Sequence, residues 1–212
     1  MAQVLEMSVT RGLAELKLLK KRIEDTIDKS TFASYSIGQK IAKGYKSIEE
    51  FEVDSKAKFD SVKSLIKQRN AIKSAIVESN AKTIIKIGEL EMTVAEAIER
   101  KTSIEFDRLF LQKLRNDFHV ANQIVEHKNT EVNASLQRLL ESQFNGKDGK
   151  IQQDTVELIS KPYKKNNEAK LVDPINLRKI IEEMQNEIDK FDTEVDFVLS
   201  ESNSLTKIKI TV

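Results

Sequence analysis

The sequence predicts a mainly α-helical protein, elongated and built from long-helix hairpins, with a small β-sheet. Its composition is the first observation behind this prediction: of 212 residues, 33% are charged, whereas Pro occurs 2 times and Gly 6 times. Such a composition is typical of long solvated helices rather than of a turn-rich β protein. The second observation is that most of the chain occurs twice.

Three short segments are repeated in the same order along the chain. The repeated segments are residues 5–9 with 90–94, 41–46 with 159–164, and 78–87 with 201–210, at offsets of 85, 118 and 123. In the third pair, seven of ten residues are identical. The pattern predicts a tandem duplication with a first repeat at 1–87 and an expanded second repeat at 88–212. A duplicated chain is expected to form one pseudo-symmetric structure with paired sites.

The first repeat is predicted to contain strand, helix, connector, helix and strand. A strand near 3–9 precedes a helix whose apolar residues, from Leu13 to Ile27, recur at helical spacing. Residues 30–46 are predicted to be a connector. Ser47 and Glu50 form a capping-box pattern that starts a second helix, which runs to about 79. A β-branched strand is expected at 82–87.

The second repeat is predicted to follow the same order. Gly88-Glu89 is expected to be a two-residue turn into a strand at 90–94, and Thr93 with Glu96 forms another capping-box pattern. A helix of roughly 50 residues should follow, about 75 Å long. Residues 150–171 are predicted to be an irregular or partly extended connector. Asp173-Pro174 is expected to cap the last helix, with Pro at its first position.

The chain is predicted to end on a strand at 206–212. Because a two-stranded ribbon alone is marginally stable, all four strands are expected to share one sheet.

The long helix carries an apolar stripe with two possible interpretations, a core or an interface between subunits. Its residues are Ala97, Ile104, Leu111, Phe118, Val125, Val132, Leu136 and Leu139. A helix this long must pack along another long helix, either in the same chain or in a second copy. Its length favours a homo-oligomer.

Charge and composition exclude several classes of protein. Lys plus Arg number 35 and Asp plus Glu number 34, so there is no net field for nucleic acid or a membrane surface, and nucleic-acid binding is not expected. The chain has no Cys, which excludes thiol chemistry and suits a reducing compartment. We see no signal-peptide pattern and no membrane span. The expectation is a cytoplasmic protein, in the host cytoplasm or the virion if a phage encodes it.

A repeated Lys-x-Tyr-Lys pattern is the candidate ligand site. It comprises Lys43, Tyr45 and Lys46 in one connector and Lys161, Tyr163 and Lys164 in the other. Two such clusters suit a small anionic, nucleotide-like ligand, because tyrosine stacks on a flat ring and ammonium groups neutralise phosphate or carboxylate. The alternative is that descent alone retained these residues and that each Tyr packs against its hairpin.

No pattern of catalytic or metal-binding residues is found. His119 and His127 lie eight residues apart on the long helix, about 80° apart around its axis, which is poor geometry for a shared metal. The segment 38–44 lacks the Gly-Lys-Ser/Thr ending of a phosphate loop. The sequence therefore predicts no enzyme, no cofactor and no metal.

The stretch 66–100 combines Arg69-Asn70, a Thr-bearing strand within 80–87, a turn at 88–89 and Thr93-Val94-Ala95-Glu96-Ala97. This combination resembles the septicolysin-like family of uncharacterised bacterial helical-hairpin proteins. The resemblance covers the first 115 residues or so and implies helical hairpins. The family name suggests a cytolysin, but no membrane-inserting segment is present. The style of residues 93–101 also resembles proteins of tailed bacteriophages.

Together these features predict a non-enzymatic, self-assembling interaction or structural protein, of phage or mobile-element origin. The alternative function is sequestration of a small anionic ligand at the two Lys-x-Tyr-Lys clusters.

Overall fold

The computed structural model describes residues 4–41, 44–144 and 153–211. The helices are α1 (Val9–Asp28), α2 (Ile48–Lys82), α3 (Val94–Phe144), α4 (Gln153–Asn167) and α5 (Leu177–Leu205). The strands are β1 (Val4–Ser8), β2 (Ser36–Ile37), β3 (Lys40–Ile41), β4 (Ile84–Ile87), β5 (Leu90–Thr93) and β6 (Lys207–Thr211). The predicted class, mainly α with a minor β component, is confirmed, and all four predicted strands are present.

Two compact units make up the chain. Unit 1 contains Met1–Thr102 and Lys190–Val212, and unit 2 contains Ser103–Asp189. The boundary falls inside α3 and inside α5. The predicted repeat boundary at 87/88 lies within unit 1, at the turn between β4 and β5.

The strands do not share one sheet, so that prediction is wrong. Within the described residues they form three separate antiparallel pairs, β1–β6, β2–β3 and β4–β5. Helices supply the cover that a third strand would have given. The inward residues of β6, Ile208 and Ile210, are buried in one cluster with α1 and α2 residues. Burial against helices stabilises a ribbon that is marginal in water.

The two longer strand pairs have the same register. In β4–β5, Ile85 faces Met92 and Ile87 faces Leu90. The residues at the repeat offsets do the same in β1–β6, where the facing pairs are Ile208 with Met7 and Ile210 with Leu5. The hydrogen-bond ladder of each strand pair ends at an equivalent backbone bond. In β4–β5 this bond runs from Val94 N–H to the Thr83 carbonyl (2.9 Å), and in β1–β6 from Val9 N–H to the Thr206 carbonyl (3.0 Å). The repeated segments of the sequence therefore occupy equivalent positions in the two ladders.

Both helix starts that follow these ladders are capped by a side-chain oxygen. The Thr93 hydroxyl accepts from Glu96 N–H (3.1 Å), while the Glu96 carboxylate accepts from Thr93 N–H (2.7 Å). This is the predicted capping box. The Thr93 N–H and the Thr93 hydroxyl, which both donate to the Glu96 carboxylate, lower the pKa of Glu96. Ser8, at the equivalent position before α1, accepts from Arg11 N–H (3.2 Å).

Gly88 forms the two-residue turn between β4 and β5 as predicted. Its φ is +59°, and no other residue of this turn has a positive φ. Positive φ at the first turn position alone is the type II′ geometry, which matches the strand twist and which glycine adopts without strain. The Gly88 N–H donates to the Glu194 carboxylate at 2.8 Å, so the turn is tied to α5.

Two predicted connector features are corrected. The segment predicted to be irregular, 150–171, contains a helix, because α4 occupies 153–167. Its half-buried residues (Val156, Ile159, Ser160 and Tyr163) lie at helical spacing, and Pro162 is on the exposed side. The connector 30–46 contains the short β2–β3 hairpin, in which Gly38 has φ +63°.

The predicted start of the last helix is also corrected. Pro174 lies in a turn, Asn176 has φ +58°, and α5 begins at Leu177. The Asp173 carboxylate still caps the helix, since it accepts from Leu177 N–H at 2.8 Å. The residue directly before α5 is Asn176, so the predicted N-cap position of Asp173 is wrong, although its side chain reaches the first N–H of the helix.

Candidate interaction surfaces

The first Lys-x-Tyr-Lys cluster lies at the start of α2 in unit 1. Lys43 lies outside the described residues. Tyr45 is half-buried; its hydroxyl donates to Asp54 Oδ2 at 2.7 Å, and its ring meets the Phe51 ring edge-to-face with centroids 5.1 Å apart. Lys46 is exposed, and its backbone N–H donates to the Glu50 carboxylate at 2.6 Å. The Tyr45 side chain thus joins the connector to the first two turns of α2.

The Asp54 carboxylate that accepts from Tyr45 also forms an ion pair with Lys58. Lys58 Nζ lies 2.7 Å from Asp54 Oδ2, the same oxygen that accepts from Tyr45. The bond to Lys58, followed by that to Tyr45, lowers the pKa of Asp54. The bond to the Asp54 carboxylate raises the pKa of Tyr45, so the phenol stays protonated and donates. The hydroxyl of Tyr45 is therefore occupied by contacts within α2.

The second cluster lies on α4 in unit 2, and the prediction that it forms a connector loop is wrong. Lys161 pairs with Glu157 one turn earlier (2.5 Å), and Tyr163 is half-buried on the inner side of α4. Lys164 is exposed. The two clusters belong to different units and to different secondary structure. The anion-binding site predicted from them stays a prediction; its residues are Lys43, Tyr45, Lys46, Lys161, Tyr163 and Lys164.

A matched pair of open grooves flanks the two ladders of unit 1. One groove, of about 390 Å³, lies between the end of α2 and β6; the other, of about 370 Å³, lies between the end of α5 and β4. Their linings correspond at the repeat offset of 123 residues. The chemistry differs at two positions, since Lys82 and Lys207 in the first groove correspond to Leu205 and Ile84 in the second. The two grooves thus have corresponding linings but unequal polarity.

A patch of exposed apolar residues lies where α1 and α2 are joined. Phe32 meets Phe59 edge-to-face at 6.5 Å, and Lys63 Nζ lies 5.3 Å from the Phe59 ring centroid. Tyr35 and Ile37, in and beside the β2–β3 hairpin, are largely exposed as well. Phe32 and Phe59 therefore already have an aromatic partner and, for Phe59, a cation–π partner within the chain.

Helix α3 has apolar side chains on two opposite faces within unit 2. The inner face matches the predicted stripe: Ile104, Leu111 and Leu136 are buried, and Phe118, Val125, Val132 and Leu139 are half-buried. The opposite face, which we call the outer face, comprises Phe106, Leu109, Phe110, Lys113, Asp117, Val120 and Ile124. Its apolar members are all exposed, Phe106 to 73%. At 100° per residue, they lie about half a turn from the inner stripe.

The outer face was missed by the sequence reasoning, although a signal was present. The predicted stripe, in which most residues are seven apart, already gives the helix one apolar face. The spacing of Phe106, Phe110, Val120 and Ile124 is also helical, but the intervening Lys113 and Asp117 interrupt it. Only burial shows that these residues are not part of the core.

Metal-binding and membrane features are not found in the part of the chain described. No group of three or more His, Asp or Glu side chains there has the arrangement to hold a metal ion. His127 Nε2 lies 3.2 Å from Glu131 in an exposed contact one turn along α3. No described helix combines the length and the apolar character needed to cross a membrane.

Comparisons with known proteins return no relatives. No protein-family model, no curated protein and no solved structure matches the chain. The resemblance of residues 66–100 to the septicolysin-like family, and the phage-like style of 93–101, therefore stay predictions.

Proposed function

We propose that this protein is a non-enzymatic helical interaction protein that self-assembles through the outer face of α3. The observation that supports the proposal is the exposure of five large apolar side chains on one side of a helix whose opposite side already faces the core. Single exposed apolar residues are normal on a protein surface, but a cluster such as Phe106, Leu109 and Phe110, within five residues of one helix, is typical of an interaction site. A helix with two apolar faces is stabilised by a neighbour on each.

The composition of the outer face suits association between subunits. Two aromatic rings, Phe106 and Phe110, lie one turn apart at one end, and aromatic residues are enriched at the centres of protein interfaces. Charged residues are few and lie between the apolar groups, as Lys113 and Asp117 do. Burying such rings against a second helix removes apolar area from water, which is the main favourable term in association.

The experiment compares the sedimentation of the wild type with that of two matched variants. Phe106→Ser removes a ring that is 73% exposed on the outer face; Phe197→Ser removes one that is 71% exposed on α5, in unit 1. Both variants have the same cost in helix propensity, and neither residue lies in a core. We expect the wild type and Phe197→Ser to show the same concentration-dependent association, and Phe106→Ser to show a weaker one.

Two results would contradict the proposal. One is a wild type that stays monomeric across the whole concentration range. The other is equal association of Phe106→Ser and Phe197→Ser, which would place the interface elsewhere. Circular dichroism of all three proteins establishes that the helical content is unchanged.

A further inference from the structure

The outer face of α3 has opposite charges at its middle and apolar residues at both ends. Lys113 Nζ and Asp117 Oδ1 lie 2.5 Å apart, and their side chains are 66% and 49% exposed. Phe106 and Phe110 precede this ion pair along the helix, while Val120 and Ile124 follow it. All six side chains point to the same side, because their spacings of three, four and seven residues are those of one helical face.

Six of the seven outer-face residues are arranged symmetrically about position 115, and the seventh, Leu109, has Ala121 at the equivalent position. Lys113 and Asp117 are each two residues from it, Phe110 and Val120 are each five, and Phe106 and Ile124 are each nine. The symmetry exchanges unlike groups: a cation with an anion, and a large ring with a smaller branched chain. Arg115 itself is directed away from this face, since its Nη2 donates to Gln185 Oε1 at 2.8 Å.

We propose that the outer face is covered by the same face of a second copy, with the two α3 helices antiparallel about a two-fold axis at position 115. This inference rests on the proposed function and names the partner and geometry of that interface. In this arrangement Lys113 faces Asp117 of the partner subunit, Phe110 faces Val120 of the partner subunit, and Phe106 faces Ile124 of the partner subunit. A two-fold interface uses one self-complementary patch on both subunits, which the exchange of unlike groups provides.

The parallel arrangement is disfavoured by the same residues. It would place Lys113 against Lys113 of the partner subunit and Asp117 against Asp117 of the partner subunit. Like charges that face each other are destabilising. It would also stack rings on rings at one end and small residues on small residues at the other. Interdigitation of large and small side chains fills space better than this segregation.

Charge reversal tests which residues meet. In the antiparallel dimer, Lys113→Asp places two carboxylates together and Asp117→Lys places two ammonium groups together. We expect either single variant to weaken association by about tenfold or more, because each two-fold contact changes from attraction to repulsion. An equimolar mixture of the two variants, and the double variant with the charges exchanged, should both recover wild-type association. Recovery in the mixture shows that each single variant is folded.

Spin labels test the direction of the helices. The chain has no native Cys, so single cysteines at Asn116, Gln123 and Thr130 each carry one nitroxide per subunit. These three positions are one heptad apart and share one flank of α3. With an axis at 115 and a rise of 1.5 Å per residue, the label-to-label separation along the axis should grow by about 21 Å at each step. Parallel helices would give the same separation at all three positions.

The outcomes separate this inference from the proposed function. Separations that increase with distance from 115, measured by pulsed electron resonance, support the antiparallel dimer. Constant separations in a protein that associates through Phe106 overturn the antiparallel geometry and leave the proposed function standing. Charge variants that associate as the wild type does also overturn the geometry. A wild type that does not associate overturns both.

Discussion

The backbone N–H of Val94 donates to the carbonyl of Thr83 at 2.9 Å, which links the end of α2 to the start of α3. The bond from Val9 to Thr206 does the same for α1 and α5 at 3.0 Å. In both places one strand directly follows a helix, β4 after α2 and β6 after α5, and its partner leads directly into a helix, β5 into α3 and β1 into α1. The equal registers on either side indicate that two equivalent strand pairs organise unit 1.

The inward and outward residues of β4 should differ sharply in their effect on stability. Ile85 is 8% exposed, whereas its neighbour Ile84 is 60% exposed. We expect Ile85→Ala to lower the free energy of unfolding by about 2–5 kcal/mol, because it removes buried methylene groups and leaves a cavity. Ile84→Ala is the matched control and should cost well under 1 kcal/mol. Urea denaturation followed by circular dichroism measures both, and equal losses would contradict the assigned register.

Gly12 should be intolerant of a branched side chain. A Cβ at this position would lie 3.0 Å from Ile208 Cδ1 and 3.2 Å from Ile76 Cδ1, so both side chains would have to shift to admit it, and further for a branched side chain. We expect Gly12→Val to destabilise unit 1 by about 1–3 kcal/mol through overpacking. Ala14→Val, on the exposed side of α1, introduces the same residue without crowding.

The measurement for Gly12 is the midpoint of thermal unfolding of the two variants. Since Gly is about 1 kcal/mol poorer than Ala in a helix, propensity alone would favour Gly12→Val and disfavour Ala14→Val, so a lower midpoint for Gly12→Val reports crowding. A Gly12→Val protein at least as stable as Ala14→Val would mean that Ile76 and Ile208 can move apart freely.

Acid should remove a contribution that Asp54 makes to stability. The bonds from Lys58 and Tyr45 depress the pKa of Asp54 below its ordinary value of 3.8. A carboxylate with a depressed folded pKa stabilises the protein fully above the unfolded value, and that contribution is lost as the pH falls through the folded one. We therefore expect Asp54→Asn to be less stable than the wild type at neutral pH, with the difference shrinking below about pH 4.

The measurement for Asp54 is the free energy of unfolding at a series of pH values for wild type, Asp54→Asn and Asp60→Asn. Asp60 is an exposed carboxylate on the same helix and serves as the control for a change in net charge. A deficit of Asp54→Asn that stays constant down to pH 2 would contradict the assignment of the pH dependence to this carboxylate.

The Lys-x-Tyr-Lys clusters can be tested for the predicted nucleotide-like ligand. If both tyrosines stack on a ligand, ATP or a similar nucleotide should raise the unfolding temperature of the wild type, and Tyr45→Ala with Tyr163→Ala should abolish that shift. Tyr45→Phe removes only the hydroxyl bond to Asp54, so it should lower stability while leaving stacking intact. Absence of any nucleotide shift in the wild type would favour the packing alternative.

Sequence periodicity predicted the helices and strands of unit 1 well because each is defined by local chemistry. The Thr93–Glu96 capping box, the Gly88 turn and the alternation in 84–87 act within a few residues, so pattern and structure coincide. The α4 helix was missed because Pro162 and the surrounding polar residues weaken the local signal. Its half-buried residues, Ile159 and Tyr163 among them, are recognisable as one face only when burial is known.

The sheet arrangement and the outer face of α3 depend on tertiary contacts and were beyond local patterns. Nothing near β1 in the sequence specifies that Met7 faces Ile208 and not a residue of β4 or β5. Similarly, Phe106 and Ile104 are both apolar residues of one helix, and the sequence does not state which is covered. The candidate ligand residues were identified from a repeated sequence pattern, which does not specify where their side chains lie in the structure.

The separation of the two strand pairs along the chain has a consequence for synthesis on the ribosome. Strands β4 and β5 are two residues apart and can pair within microseconds of emerging. Strand β1 is made well before its partner β6, which begins only at Lys207. Until β6 has been translated, the edge of β1 that pairs with it stays open, and such edges invite pairing with other nascent chains. Helices α1 and α2 can cover Met7 during this time, but they leave the backbone groups of that edge without their strand partner.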